Sequence, residues 1–153
     1  MKSEALIKNT INNIKSDLLG FSHALIGDIE LGQKVVSDSI VTLSVKEKEL
    51  LNRIESFKVH DDQIRSDLNE LVLSLKNSIF RIAKTTYVEK VKFDFDSSSF
   101  YFLPIEKRAC LHLKYRQDMS VDSIAKVLEL TNREVLVLLN ESRDELLRIS
   151  KNQ

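Results

Sequence analysis

Three histidines and one cysteine are the residues best suited to metal or nucleophilic chemistry, and their spacing supports neither. His23, His60 and His112 lie far apart, and Cys110 has no second thiol to pair with. A zinc site needs ligands at short, repeated intervals, and a nucleophile needs a base held beside it. Nothing resembles a phosphate-cradling glycine loop. No enzyme and no cofactor is therefore expected, and Cys110 reads as a small core residue.

Charge is the next chemistry available. Lys and Arg number 23 against 23 Asp and Glu, so the net charge is zero. Dedicated nucleic-acid binders carry a basic excess, because neutralised phosphates supply much of their affinity. Overall balance here hides a local surplus. Over residues 70–92, Lys76, Arg81, Lys84, Lys90 and Lys92 face only Glu70 and Glu89. From Phe93 onward the sign reverses, with nine basic and ten acidic residues.

The elements that must position these groups are helical. Sheets and tight turns consume glycine and proline, and the chain has only 3 of one and 1 of the other. Apolar residues recur near a helical period over Ala5–Gly20, then through Phe21, Ala24, Leu25 and Ile26 to a break at Gly27-Asp28. A second helix is predicted over Glu30–Leu43. A third follows over Val45–Phe57, capped by Ser44 with Glu47 closing a capping box. Lys58–Ile64 reads as a loop, and Leu68–Lys92 as a long helix burying Leu71, Leu75, Ile79, Ile82, Ala83 and Tyr87. Residues 93–101 (FDFDSSSFY) break the pattern and read as a linker. The expected fold is all-α, with two small helical domains over 1–92 and 102–153. No run approaches the roughly 18 apolar residues of a membrane span, and Met1–Glu4 is not followed by the continuous apolar region of a secretory signal. A cytoplasmic protein without membrane contact is expected.

Beyond the linker, three helices are predicted: Pro104–Tyr115, Val121–Leu128 and Asn132–Ile149. Ser120 caps the second, and Thr131 with Glu134 caps the third. Ala125 is small where two helices cross, while Leu130 and Val135 fill the space between them. This order suits a helix-turn-helix that presents its last helix to the major groove. Residues 135–139 are apolar all round that helix. Val135, Leu138 and Leu139 are assigned to the core, leaving Leu136 and Val137 facing outward and needing a partner.

At these residues the sequence resembles a known family. The stretch FLPIEKRACLHLKYRQDMSVDSIAKVLELTNREVLVLLNESRDELL, about a third of the chain, is similar to region four of extracytoplasmic-function sigma factors. Upstream, GDIELGQKVVSDSIVTL and SIFRIAKTTY resemble segments of the same family's region two. The resemblance implies a protein that meets the RNA polymerase core through region two and reads promoter DNA. It places Lys76, Arg81, Lys84, Lys90 and Lys92 near the promoter element closer to the start site. Arg108, Lys114, Arg116, Arg133 and Arg143 fall near the element further upstream. Lys34, Ser37, Asp38 and Val41 fall on the polymerase-binding segment.

The departures fall on contact positions. Lys34 stands where the family has aspartate, and Ser37 where it has glutamine. Ser78 replaces a tryptophan and cannot stack on a base, and Thr85 replaces an asparagine. Leu136 and Val137 follow Val135 where the family places basic residues, and Glu141 stands at a later arginine position. Phosphate repels such a face, and Leu or Val offers only methyl contacts to thymine. Three readings stay open: a sigma-factor-like initiation protein binding polymerase core, promoter DNA or both; a sigma mimic or adaptor; and a self-associating helical regulator. In the second, Leu136, Val137 and Glu141 meet an anti-sigma factor or a DNA-targeting protein complex.

Overall fold

The computed structural model describes residues 2–55, 61–87 and 99–151. Among them the chain is all-α, without strands. The helices are α1 (Lys2–Ile26), α2 (Ile29–Lys46), α3 (Lys48–Glu55), α4 (Asp61–Ile82), α5 (Ile105–Tyr115), α6 (Val121–Leu128) and α7 (Asn132–Lys151). A π-helical turn, Ala83–Tyr87, extends α4, and a 3₁₀ turn, Ser99–Phe102, leads into α5.

The first turn is chemically specified. Gly27 adopts φ 74°, a conformation costly for other residues, and its N–H donates to the His23 carbonyl at 2.7 Å. Asp28 then caps α2 by accepting from the Leu31 N–H at 2.9 Å. The returning helix crosses α1 closely at Gly32, where a Cβ would meet Ser22 Oγ at 3.3 Å. Ser22 Oγ donates to the Gly32 carbonyl at 2.9 Å, so the buried hydroxyl is satisfied at the crossing.

Two expectations are corrected here. Ser44 does not start a helix: α2 runs on to Lys46, and the Ser44 hydroxyl donates back to the Val41 carbonyl at 2.7 Å. A hydroxyl can satisfy either role, and helix continuity decided between them. Glu47 becomes the C-cap of α2, its side chain accepting from Ser74 Oγ. The long helix also begins earlier than expected, at Asp61.

Helix α4 is the central strut. Leu71, Leu75, Ile79 and Ala83 recur every four residues and are fully buried. The stripe packs against α1, α2 and α3, and α4 also meets α6. One apolar cluster runs from Leu18, Phe21 and Leu25 through this stripe to Leu113, Ile124, Val135 and Leu139. The two halves read from the sequence therefore share a core among the described residues. Linker residues 93–98 lie outside the described residues, as do His60 and the Tyr87 side chain.

Candidate interaction surfaces

The C-terminal unit is built from short-range chemistry. Pro104 precedes α5, where its missing N–H is harmless, and its carbonyl accepts from Lys107 and Arg108. Ser120 Oγ caps α6 by accepting from the Ser123 N–H at 3.1 Å. Thr131 Oγ1 does the same for Glu134 in α7, also at 3.1 Å. Between them Glu129 holds φ 59°, with its N–H donating to the Ala125 carbonyl. A left-handed glutamate costs of order 1 kcal/mol. The turn is held from outside: Arg81 on α4 pairs with the Glu129 carboxylate, its Nε donating at 3.1 Å. Asn77 Nδ2 adds a bond to the Val127 carbonyl at 2.8 Å.

Helix α7 divides as expected. Val135, Leu139 and Ser142 are buried and Leu138 is half-buried, whereas Leu136 and Val137 are 51% and 49% exposed. Arg133, Asn140 and Glu141 are exposed as well, so the apolar pair lies among polar neighbours. Leu136 and Val137 take the outward positions anticipated for them.

The cations of the N-terminal half are placed differently from expectation. Lys76 is only 6% exposed, its Nζ lying 3.5 Å from Met119 Sδ, and burial pushes its pKa down against the opposing pull of Asp17. Its ammonium turns toward the packed C-terminal unit, so phosphate has no approach to it. Arg81 is held by Glu129, and Lys84 pairs with Glu106 at 3.0 Å. Lys90 and Lys92 lie outside the described residues. Ser78 is buried, and the exposed Thr85 donates its hydroxyl to the Arg81 carbonyl.

Arg108 requires the clearest correction. It is 3% exposed and donates to the carbonyls of Ala24 at 3.1 Å and Leu25 at 2.7 Å, and to that of Leu103. The carbonyls of Ala24 and Leu25 belong to the last turn of α1, where acceptors lack intrahelical partners and the dipole favours a cation. Its guanidinium also lies 5.9 Å from the Tyr101 ring centroid. Arg108 is an internal clasp, withheld from DNA. Burial moves its pKa down, but a guanidinium keeps its charge at any pH a folded protein meets.

The remaining basic positions stay accessible. Arg116 and Arg133 are exposed and Lys114 is half-buried, and none has an ion pair among the described residues. Arg143 is exposed and donates to Asn140. On α2, Lys34, Ser37 and Val41 are exposed and Asp38 is half-buried. Val41 reaches 66% exposure, and Ile29 and Val45 are comparably open. These two were missed, although Val45 continues the face of Val41 by one helical turn.

No group of three or more His, Cys, Asp or Glu among the described residues could hold a metal. Cys110 is buried against the Val135 carbonyl, and burial raises its thiol pKa to about 11. His112 stacks on Phe21 and is pushed down to about 4, chiefly by burial, then by Arg116 and Lys76. Both groups are neutral near pH 7. Among the described residues, no helix is long and apolar enough to cross a membrane. No family model matches the chain, and no curated protein matches it.

Proposed function

We propose that this chain is a sigma-factor-like adaptor, joining the RNA polymerase core to a protein partner seated on the outward face of α7. The reading rests on the residues that resemble sigma regions two and four. One observation sets adaptor above promoter reader: the last helix of the three-helix unit turns Leu136 and Val137 outward, while Lys76, Arg81, Lys84 and Arg108 are buried or paired within the chain. Half-exposed apolar residues on the outward face of a helix whose other face serves the core favour a protein surface over phosphates. An anti-sigma factor and a DNA-targeting protein complex are the two kinds of partner that fit an apolar centre trimmed by Glu141 and Arg133. The Val41 and Val45 face of α2, which also carries Lys34 and Asp38, is the companion surface for polymerase.

Affinity purification with wild-type chain and with Leu136→Lys/Val137→Lys tests the reading. Recovery of polymerase subunits with both, and of the α7 partner with wild type alone, is the expected result. Recovery of an identical set by both proteins rejects the α7 surface. A fluorescence titration without core binding at micromolar concentrations rejects the sigma-like part.

A second reading, promoter contact by the C-terminal unit, is favoured by the outward Lys114, Arg116 and Arg133. It requires affinity for duplex DNA that falls steeply with salt. Affinity unchanged by Arg133→Gln removes it.

A further inference from the structure

A crevice of about 880 Å³ opens between α1, the 3₁₀ turn, α5 and α7. Small-molecule sites occupy roughly 300–1,000 Å³ and combine apolar walls with a few convergent polar groups. The walls here are aromatic, formed by Phe100, Tyr101 and Tyr115, with the His112 ring among them. His23, Ala24, Leu111 and Leu146 share the lining, Arg116 and Arg143 supply its cations, and no carboxylate joins them among the described residues. Two exposed guanidinium groups beside an apolar crevice give it positive charge without an internal counterion.

The walls are held before any ligand arrives. Tyr101 donates its hydroxyl to the His23 carbonyl at 3.2 Å, and Phe100 meets Tyr101 edge to face at 5.4 Å. His112, stacked on Phe21, adds a neutral ring. One wall is a helical glycine. A Cβ on Gly20 would approach only the His112 ring, at 3.7–3.8 Å, which is ordinary contact. Packing therefore does not demand glycine there, and a longer side chain would enter the crevice.

We propose that this crevice binds a small aromatic anion of nucleotide size, its ring among Phe100, Tyr101 and Tyr115 and its negative group on Arg116 and Arg143. The ring follows from the aromatic walls, whose faces and edges accept a stacked partner. The anion follows from the two guanidiniums in the lining: Arg116 has no ion pair among the described residues, and Arg143 is held by a neutral partner, Asn140. Arg143 lies two helical turns beyond Leu136 on α7, the other walls come from α1, the 3₁₀ turn and α5, and binding in the crevice does not depend on the partner proposed for α7.

The probe is 8-anilinonaphthalene-1-sulfonate, an aromatic anion whose fluorescence rises in apolar surroundings, titrated into the full chain. Saturable binding at one site is expected, displaced by adenosine monophosphate and not by dodecanoate. Displacement by dodecanoate alone would overturn the aromatic assignment. Arg116→Gln with Arg143→Gln changes exposed side chains only, and should weaken binding about a hundredfold, the worth of two charge-assisted bonds at about tenfold each. Gly20→Leu should abolish binding while Gly20→Ala retains it, with circular dichroism melts reporting the fold of each. Should Gly20→Leu fail to fold, the arginine pair decides alone. Fluorescence that survives the double glutamine variant at full strength refutes the site.

Discussion

Helices α4 and α7 both carry residues that sequence reading assigned to outside partners, and they use them in opposite ways. On α4, Lys76 is buried, Arg81 is committed to Glu129, and Asn77 reaches the Val127 carbonyl. Its polar groups join the two halves of the molecule. On α7, Val135 and Leu139 serve the core while Leu136 and Val137 stay half open. The difference shows that residue type alone does not mark a contact surface. Cations in a locally basic stretch were used inside the chain, and apolar residues on a capped, amphipathic helix were left outside it.

The largest break in that comparison comes from the clasp. Arg108→Ala removes a buried guanidinium and leaves the carbonyls of Ala24, Leu25 and Leu103 without it. A loss of about 3 kcal/mol is expected, near the cost of breaking a buried charged network, with a fall in Tm of roughly 10 °C. A melt within two or three degrees of wild type would show that the halves hold together without it.

Acid attacks the same interior. The unfolded chain protonates His112 near its usual pKa of 6.5, whereas the folded chain resists until about 4. The unfolded state therefore binds more protons between those values. The His112 contribution is fully present above pH 6.5 and is lost as pH falls toward 4. Solvent at the open edge of the ring reduces the effect to about 1–2 kcal/mol. Denaturant midpoints for wild type and His112→Gln across pH 4–7 check this, because the variant has no imidazole to protonate.

The exposed pairs should matter less. A double-mutant cycle on Arg81 and Glu129 should return a coupling of about 0.2–1 kcal/mol, the usual range for a solvent-facing pair. A larger value would mean that the pair also holds the left-handed turn at Glu129. Smallest of all is the expected stability change for Leu136→Lys/Val137→Lys. Thermal melts should shift by less than about 0.5 kcal/mol, since neither side chain is enclosed. A large loss would place that face inside a self-association.

The helices themselves were legible wherever the determining forces are local. Ser120 and Thr131 cap the helices predicted for them, Gly27-Asp28 breaks the chain at the predicted place, and Val135 faces inward with Leu136 outward. Caps and periodicity act within four residues, so a one-dimensional reading captures them. Ser44 misled because its hydroxyl can cap the next helix or bond backward within its own. The preference for continuing α2 depends on packing against α1 and α4. Arg108 and Lys76 misled for a longer-range reason. The partners of Arg108 lie 83 and 84 positions upstream, and Lys76 meets Met119 across 43. Nothing in either local segment distinguishes a buried clasp from a phosphate ligand. The aromatic crevice was invisible for the same reason, since Gly20, Tyr101, Tyr115 and Arg143 share no motif.

The reach of Arg108 back to the end of α1 bears on how the polypeptide comes off the ribosome. α1 emerges well before α5, yet the acceptors in its final turn and the apolar row of Leu18, Phe21 and Leu25 are completed by residues synthesised much later. A nascent N-terminal portion would keep sticky surface on display until α5 arrives, inviting chaperones or misassociation in the interval. The docking of α5 onto α1 then supplies contacts that local helix formation cannot.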